Sequence, residues 1–104
     1  MKLKTPIDCG GYDIASIDAS RKYGNGTPAV QAYCSDGEAA CTVSVNMPND
    51  AHRLDDGEFF VKEWSENEIP VGKLIAAGII VLTDKPAARS GFVSARIGRL
   101  NLQA

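Results

Sequence analysis

The amino-acid sequence predicts an α+β fold: an antiparallel sheet of about five or six strands, beginning with a three-stranded meander, packed on one short helix near residues 66–77. Three observations predict it. Two turn dipeptides, Asn25-Gly26 and Asp36-Gly37, separate alternating segments. The two hairpins they define select the same apolar face. Ser65 and Glu68 then stand at the spacing of a helix capping box. With 104 residues, 44% apolar and 23% charged, the chain has the length of a single domain, 1–104, and an ordinary globular composition.

The first half reads as the meander. A two-residue turn at Asn25-Gly26 sets Arg21 opposite Val30, Ala19 opposite Ala32 and Ile17 opposite Cys34. The same turn at Asp36-Gly37 sets Cys34 opposite Ala39, Ala32 opposite Cys41 and Val30 opposite Val43. Both registers place Ile17, Ala19, Val30, Ala32, Cys34, Ala39, Cys41, Val43 and Val45 on one face. Ser16, Asp18, Ser20, Lys22, Gln31, Tyr33, Thr42, Ser44 and Asn46 take the other, so the sheet is apolar behind and wet in front. Arg21 is the exception, expected at the rim with its stem over the core. A polar crossing loop follows over 48–57, then an aromatic-rich fourth strand over 58–64.

The helix start is the most explicit signal of the second half. Ser65 at the N-cap and Glu68 three residues later can exchange hydrogen bonds with each other's amides, worth about 1 kcal/mol. Trp64 and Ile69 are placed for a hydrophobic staple over that cap. Pro70 lacks an amide, which moves the start of the main helix toward it. Val71, Leu74 and Ile75 form the buried stripe, and Gly78 ends the helix. A fifth strand over 79–83, a basic Pro-containing loop over 84–91 and a last strand over 92–100 complete the chain. In that last strand Val93, Ala95 and Ile97 alternate with Ser94, Arg96 and Gly98.

Composition narrows the function. A net charge of −2 argues against a general nucleic-acid-binding protein. The longest apolar run, Leu74 to Leu82, is far short of a membrane span. No apolar stretch follows Lys2 and Lys4, so no secretory signal is read and a cytoplasmic location is expected. Cys9, Cys34 and Cys41 lack C-x-x-C spacing and read as reduced thiols serving as small apolar side chains. His52, the only histidine, sits in a polar loop without a nucleophile's context. No catalytic residue, metal or cofactor is therefore expected.

Charge is distributed unevenly along the chain. Residues 27–70 carry a net −7 and residues 71–104 a net +4. Asp50, Asp55, Asp56, Glu58, Glu63, Glu66 and Glu68 fall within nineteen residues, a concentration able to steer a positive surface into contact. A solvated face explains the same cluster, and the first-turn acids Glu66 and Glu68 already suit a helix dipole. The candidate partner-binding set is Asp50, Asp55, Asp56, Glu58, Glu63 and Glu66. Asn67 joins it as a polar residue at the helix start with no role in the cap. Lys85, Arg89, Arg96 and Arg99 offer four charges for phosphate, without interleaved aromatics.

Several stretches carry a resemblance: Tyr23-Gly24-Asn25-Gly26, the run from Val43 to Pro48, the run from Phe60 to Glu68, Ala76-Ala77-Gly78-Ile79, and Ser90-Gly91-Phe92-Val93. Together they resemble a family of small uncharacterised proteins carried by phages, plasmids and other mobile elements of bacteria. The resemblance covers most of the chain from residue 23 onward, its sharpest motif being the run that ends in Ser-Glu-Asn-Glu. Members often have an acidic or small residue where Ile69-Pro70 stands here. The resemblance implies a setting, a bacterial host cell, and no activity. The expected function is that of a non-enzymatic accessory protein binding a host protein with a basic surface through the acidic segment. Inhibition of a defence protein such as a CRISPR effector is its concrete form. Two alternatives stand beside it: a small ligand-binding or enzymatic domain with a pocket between helix and sheet, and a nucleic-acid binder using the basic C-terminal third. Oligomeric state is open, an exposed strand edge offering a route to a homodimer.

Overall fold

The fold follows from one strand that changes sheets. The structure, a computed structural model, describes residues 1–102 and is α+β, with two antiparallel sheets and one short α-helix. The first sheet has the order β1-β2-β3-β4, from β1 (Lys2–Asp8), β2 (Asp13–Lys22), β3 (Pro28–Tyr33) and β4 (Ala39–Thr42). The second runs through β5 (Ser44–Val45), β6 (Glu58–Val61), β9 (Val93–Leu100) and β7 (Ile80–Leu82), with β8 (Ala88–Ser90) paired to β9. The strands are thus divided between two sheets rather than laid in one.

The division happens at Val43. The segment expected to form one third strand of the meander stops pairing with β3 after Thr42 and resumes, as β5, beside β6. Val43 belongs to both sheets: its amide donates to Val30 O, and its carbonyl accepts from the Lys62 amide. Departure of the strand leaves the Val30 amide without a carbonyl, and the Ser44 hydroxyl fills the gap at 2.8 Å. Ser44, assigned to the wet face by alternation, is instead only 2% exposed. Its hydroxyl also meets Tyr23 Oη at 2.9 Å. A buried polar side chain here completes a ladder that the backbone cannot.

Both turns are of a different kind from the two-residue turns expected. Gly26 donates to Tyr23 O while Tyr23 donates to Thr27 O, and Gly26 takes a positive φ. That is a three-residue loop with a glycine bulge, and Gly37 repeats it between Cys34 and Glu38. In the second hairpin a further irregularity restores Ala32 opposite Cys41, as expected. In the first, a bulge between Asp18 and Arg21 makes the displacement two residues in all, so Ile17 faces Ala32 rather than Cys34. Two is the period of a strand, so Ile17, Val30, Ala32 and Val43 still point inward and are fully buried. Beyond the bulge the parity changes. Arg21 pairs with Ala29 on the outer side, and Lys22 pairs with Pro28 on the inner side. The charged residue at the inner rim is therefore Lys22, not Arg21. Ala19, beside the bulge, and Ala39, next to the second turn, are exposed rather than buried.

The sheets enclose the main core. Leu3, Ile14, Ile17, Val30 and Ala32 of the first pack with Phe59, Val61 and Ile80 of the second, and Val71 and Leu74 of α1 (Glu68–Ala76) join them. The meander's apolar face is thus covered by a sheet and a helix together, not by the helix alone. β6 is buried along its whole length, because its other face holds a smaller core of Met47, Phe60, Ala88, Ala95 and Ile97. That second core explains why the segment 48–57 is ordered: Pro48–Arg53 forms a 3₁₀ helix over it, and Leu54 packs at its side. At Gly98 a side chain would meet Val61 Cγ2 at 3.0 Å and the Val81 carbonyl oxygen at 3.2 Å, so the close packing of the central strands there requires a glycine.

The helix begins differently from expectation. Ser65–Asn67 is a short 3₁₀ turn, α1 starts at Glu68, and neither carries a side-chain cap hydrogen bond. Ser65 takes φ +60°, the one non-glycine residue with positive φ among those described. An N-cap needs an extended backbone there, so the capping box does not form. The staple does not form either: Trp64 packs on the smaller core while Ile69 stands 61% exposed. The C-terminus is as expected. The Gly78 amide bonds Ile75 O, the Ile79 amide bonds Leu74 O, and Leu74 and Ile79 meet in the core, which is a Schellman ending.

Candidate functional site

The acidic segment folds into four short stretches, and each meets a cation. Asp50 in the 3₁₀ helix lies 3.5 Å from Arg53 Nη1. Glu66 at the helix entry accepts from Lys62 Nζ at 2.9 Å, a bond that holds its carboxyl below the usual carboxylate range. Glu63 takes the Arg96 guanidinium with both oxygens, and that two-pronged hydrogen bond holds Arg96 firmly protonated. Lys85 reaches from the loop after β7 to Asp55 Oδ2 at 2.8 Å, Glu58 Oε1 at 2.5 Å and Arg53 O at 3.0 Å. Hydrogen bonds to Asp55 and then Glu58 raise the Lys85 ammonium above its ordinary pKa.

The charge asymmetry along the sequence is therefore partly offset in space. Basic residues from the C-terminal third, Lys85 and Arg96, sit on the acids of the middle third. The turn Asp55-Asp56-Gly57-Glu58 is fixed by the Glu58 amide on Asp55 O, with Gly57 at positive φ, and by the Asp55 amide on Glu58 Oε1. Glu58 is only 7% exposed and faces inward to Lys85. Of the six carboxylates from Asp50 to Glu66, only Asp56 has no ion pair among the described residues. It is exposed at the tip of that turn.

Asn67 is not a surface residue. It is 1% exposed, and its side-chain amide donates to Thr42 O at 2.6 Å and Lys62 O at 3.1 Å. It ties the end of β4 to the end of β6, just where Val43 changes sheets. This corrects its assignment as an exposed contact: it holds the junction. Sequence spacing gave no sign of this, because both partners are backbone carbonyls distant in the chain.

The remaining candidates are dispersed. His52 is exposed in the 3₁₀ helix. The three cysteines are free, and burial pushes the Cys41 thiol up to about 11, where little thiolate forms near neutrality. Among the described residues no three His, Cys, Asp or Glu side chains converge as metal ligands, and no helix is long and apolar enough to cross a membrane. Of the four basic residues considered for phosphate, Lys85 and Arg96 are engaged by carboxylates, whereas Arg89 and Arg99 carry no ion pair among the described residues. The depression between helix and β1, lined by Leu3, Pro6, Ile7 and Ala77, is mainly apolar and shallow. A larger opening lies at the far end of the sandwich, where Lys22, Pro28, Asp56 and Gly57 are shared by two adjoining depressions. No family model, no curated protein and no solved structure matches this chain.

Proposed function

We propose that this chain is a non-enzymatic binding protein that engages a partner protein with a basic surface through the turn at Asp55 and Asp56. Its setting, on the resemblance noted in the sequence, is that of a mobile-element accessory protein acting on a host protein, with a defence protein such as a CRISPR effector as the concrete case. The observation that carries the proposal is the unpaired carboxylate of Asp56, held out on a turn whose neighbours are fixed by Lys85. A carboxylate already satisfied by a cation of its own chain adds little to an encounter. A free one on an ordered turn projects its charge and costs little conformational entropy to bind. Asp50, Glu63 and Glu66 are each paired with a cation of the chain, while Glu58 and Asn67 serve the fold.

The test is affinity capture from a bacterial host lysate at physiological salt. The variant Asp56→Lys should reduce recovery of a basic partner by about tenfold. The control Asp36→Lys, Glu38→Lys, on the exposed turn between β3 and β4, should recover it unchanged. Equal recovery by both variants, or no basic protein retained by the wild type, contradicts the proposal.

A further inference from the structure

The sandwich is closed by α1 on one side and open where β2 and β3 part from β6 and β9. The opening has a volume of about 500 Å³, within the range of small-molecule sites at about 300–1,000 Å³. Its floor is Val30 and Phe59 of the main core, and its walls are Ala19, Pro28, Leu100 and the exposed Leu102. The bulge between Asp18 and Arg21 makes this opening what it is. It leaves Ala19 uncovered and turns Lys22 to the inner side, while Arg21 goes to the outer side.

Three charged side chains stand at this apolar mouth: Lys22, Arg99 and Asp56. None has a hydrogen bond or ion pair from its side chain among the described residues. This contrasts with the acids a few residues away, which are nearly all paired. Among the described residues, two unpaired cations and one anion leave a single positive charge beside an apolar floor. A monoanion with an apolar chain complements both features. A dianion would overcompensate, and a neutral chain would leave the cations without a partner. We infer that this opening binds an amphipathic monoanion, a carboxylate on a flexible hydrocarbon chain, with the carboxylate between Lys22 and Arg99 and the chain against Ala19, Pro28 and Leu100.

The inference shares Asp56 with the protein-binding proposal but does not rest on it, and it is tested without any partner. Decanoate, titrated below its aggregation range into the ¹⁵N-labelled protein, should shift the amides of Ala19, Lys22 and Leu100 saturably, with the amides of β4 unmoved. Lys22→Glu and Arg99→Glu should each weaken binding by about tenfold, since a charge-assisted hydrogen bond is exchanged for repulsion. Arg21→Glu, on the outer side of the same strand, should leave affinity unchanged. All three residues are exposed, and unchanged amide spectra away from the opening verify that each variant keeps the fold. Ala19→Trp, which fills the wall, should abolish the shifts. Absence of saturable shifts, equal binding by decanamide and decanoate, or equal losses for Arg21→Glu and Lys22→Glu would overturn the inference.

Discussion

Asn67 and Ser65 show how much a single residue's environment departs from its local motif. Both stand in the run Ser-Glu-Asn-Glu, which spells a helix cap, yet the cap is not what they form. Asn67 satisfies two backbone carbonyls at the junction of the sheets. Asn67→Ala should therefore cost about 1–3 kcal/mol of stability, the penalty for buried acceptors left without donors, measured by urea unfolding. A loss below a few tenths would mean that Asn67 is not buried as described. Ser65 makes the opposite prediction. At φ +60° a side chain is strained, so Ser65→Gly should leave stability unchanged or raise it by up to about 1 kcal/mol. A capping serine would instead lose stability on the same change. The local spacing of Ser65 and Glu68 carried the helix start to within a few residues, but it could not report that the backbone enters from a turn at Trp64.

At the level of elements, strand parity was legible and turn geometry was not. Asn25-Gly26 and Asp36-Gly37 do turn hairpins, yet each glycine closes a three-residue loop, and bulges absorb the difference. Burial of Val30 and Val43 survives because only even displacements keep apolar residues inside. β1 was not legible: Lys2, Lys4, Thr5 and Pro6 are exposed, and only Leu3 and Ile7 turn inward, too few for a period. Nor was the role of Lys85. It joins the loop after β7 to the turn before β6. Its pKa is raised in the folded state, so its contribution is fully present below the ordinary lysine range. That contribution is lost as pH rises through the folded value. Lys85→Met should lower the melting temperature at neutral pH, and the gap from wild type should close at strongly alkaline pH. A gap that persists unchanged at alkaline pH would show that the ammonium's hydrogen bonds do not hold the loop.

For the whole molecule, the division of the sequence into acidic and basic thirds is partly offset on folding. The chain complements itself: Glu63 meets Arg96, and Asp55 and Glu58 meet Lys85, across about thirty residues of sequence. What remains for a partner or ligand is set by geometry that no linear pattern contains. Among the described residues Asp56 is left without an ion pair at a turn tip, and Lys22 is turned inward by a bulge. Both depend on the strand that leaves one sheet for the other at Val43, since that crossing positions β6, its preceding turn and the open end of the sandwich. Native-state amide hydrogen exchange tests the crossing directly. The amides of Val30, Val43 and Lys62, bonded to Ser44 Oγ, Val30 O and Val43 O, should exchange only through global unfolding, with equal opening free energies. Exchange of Val43 and Lys62 at the rate of the exposed turn at Asp36-Gly37, while Val30 stays protected, would contradict the account.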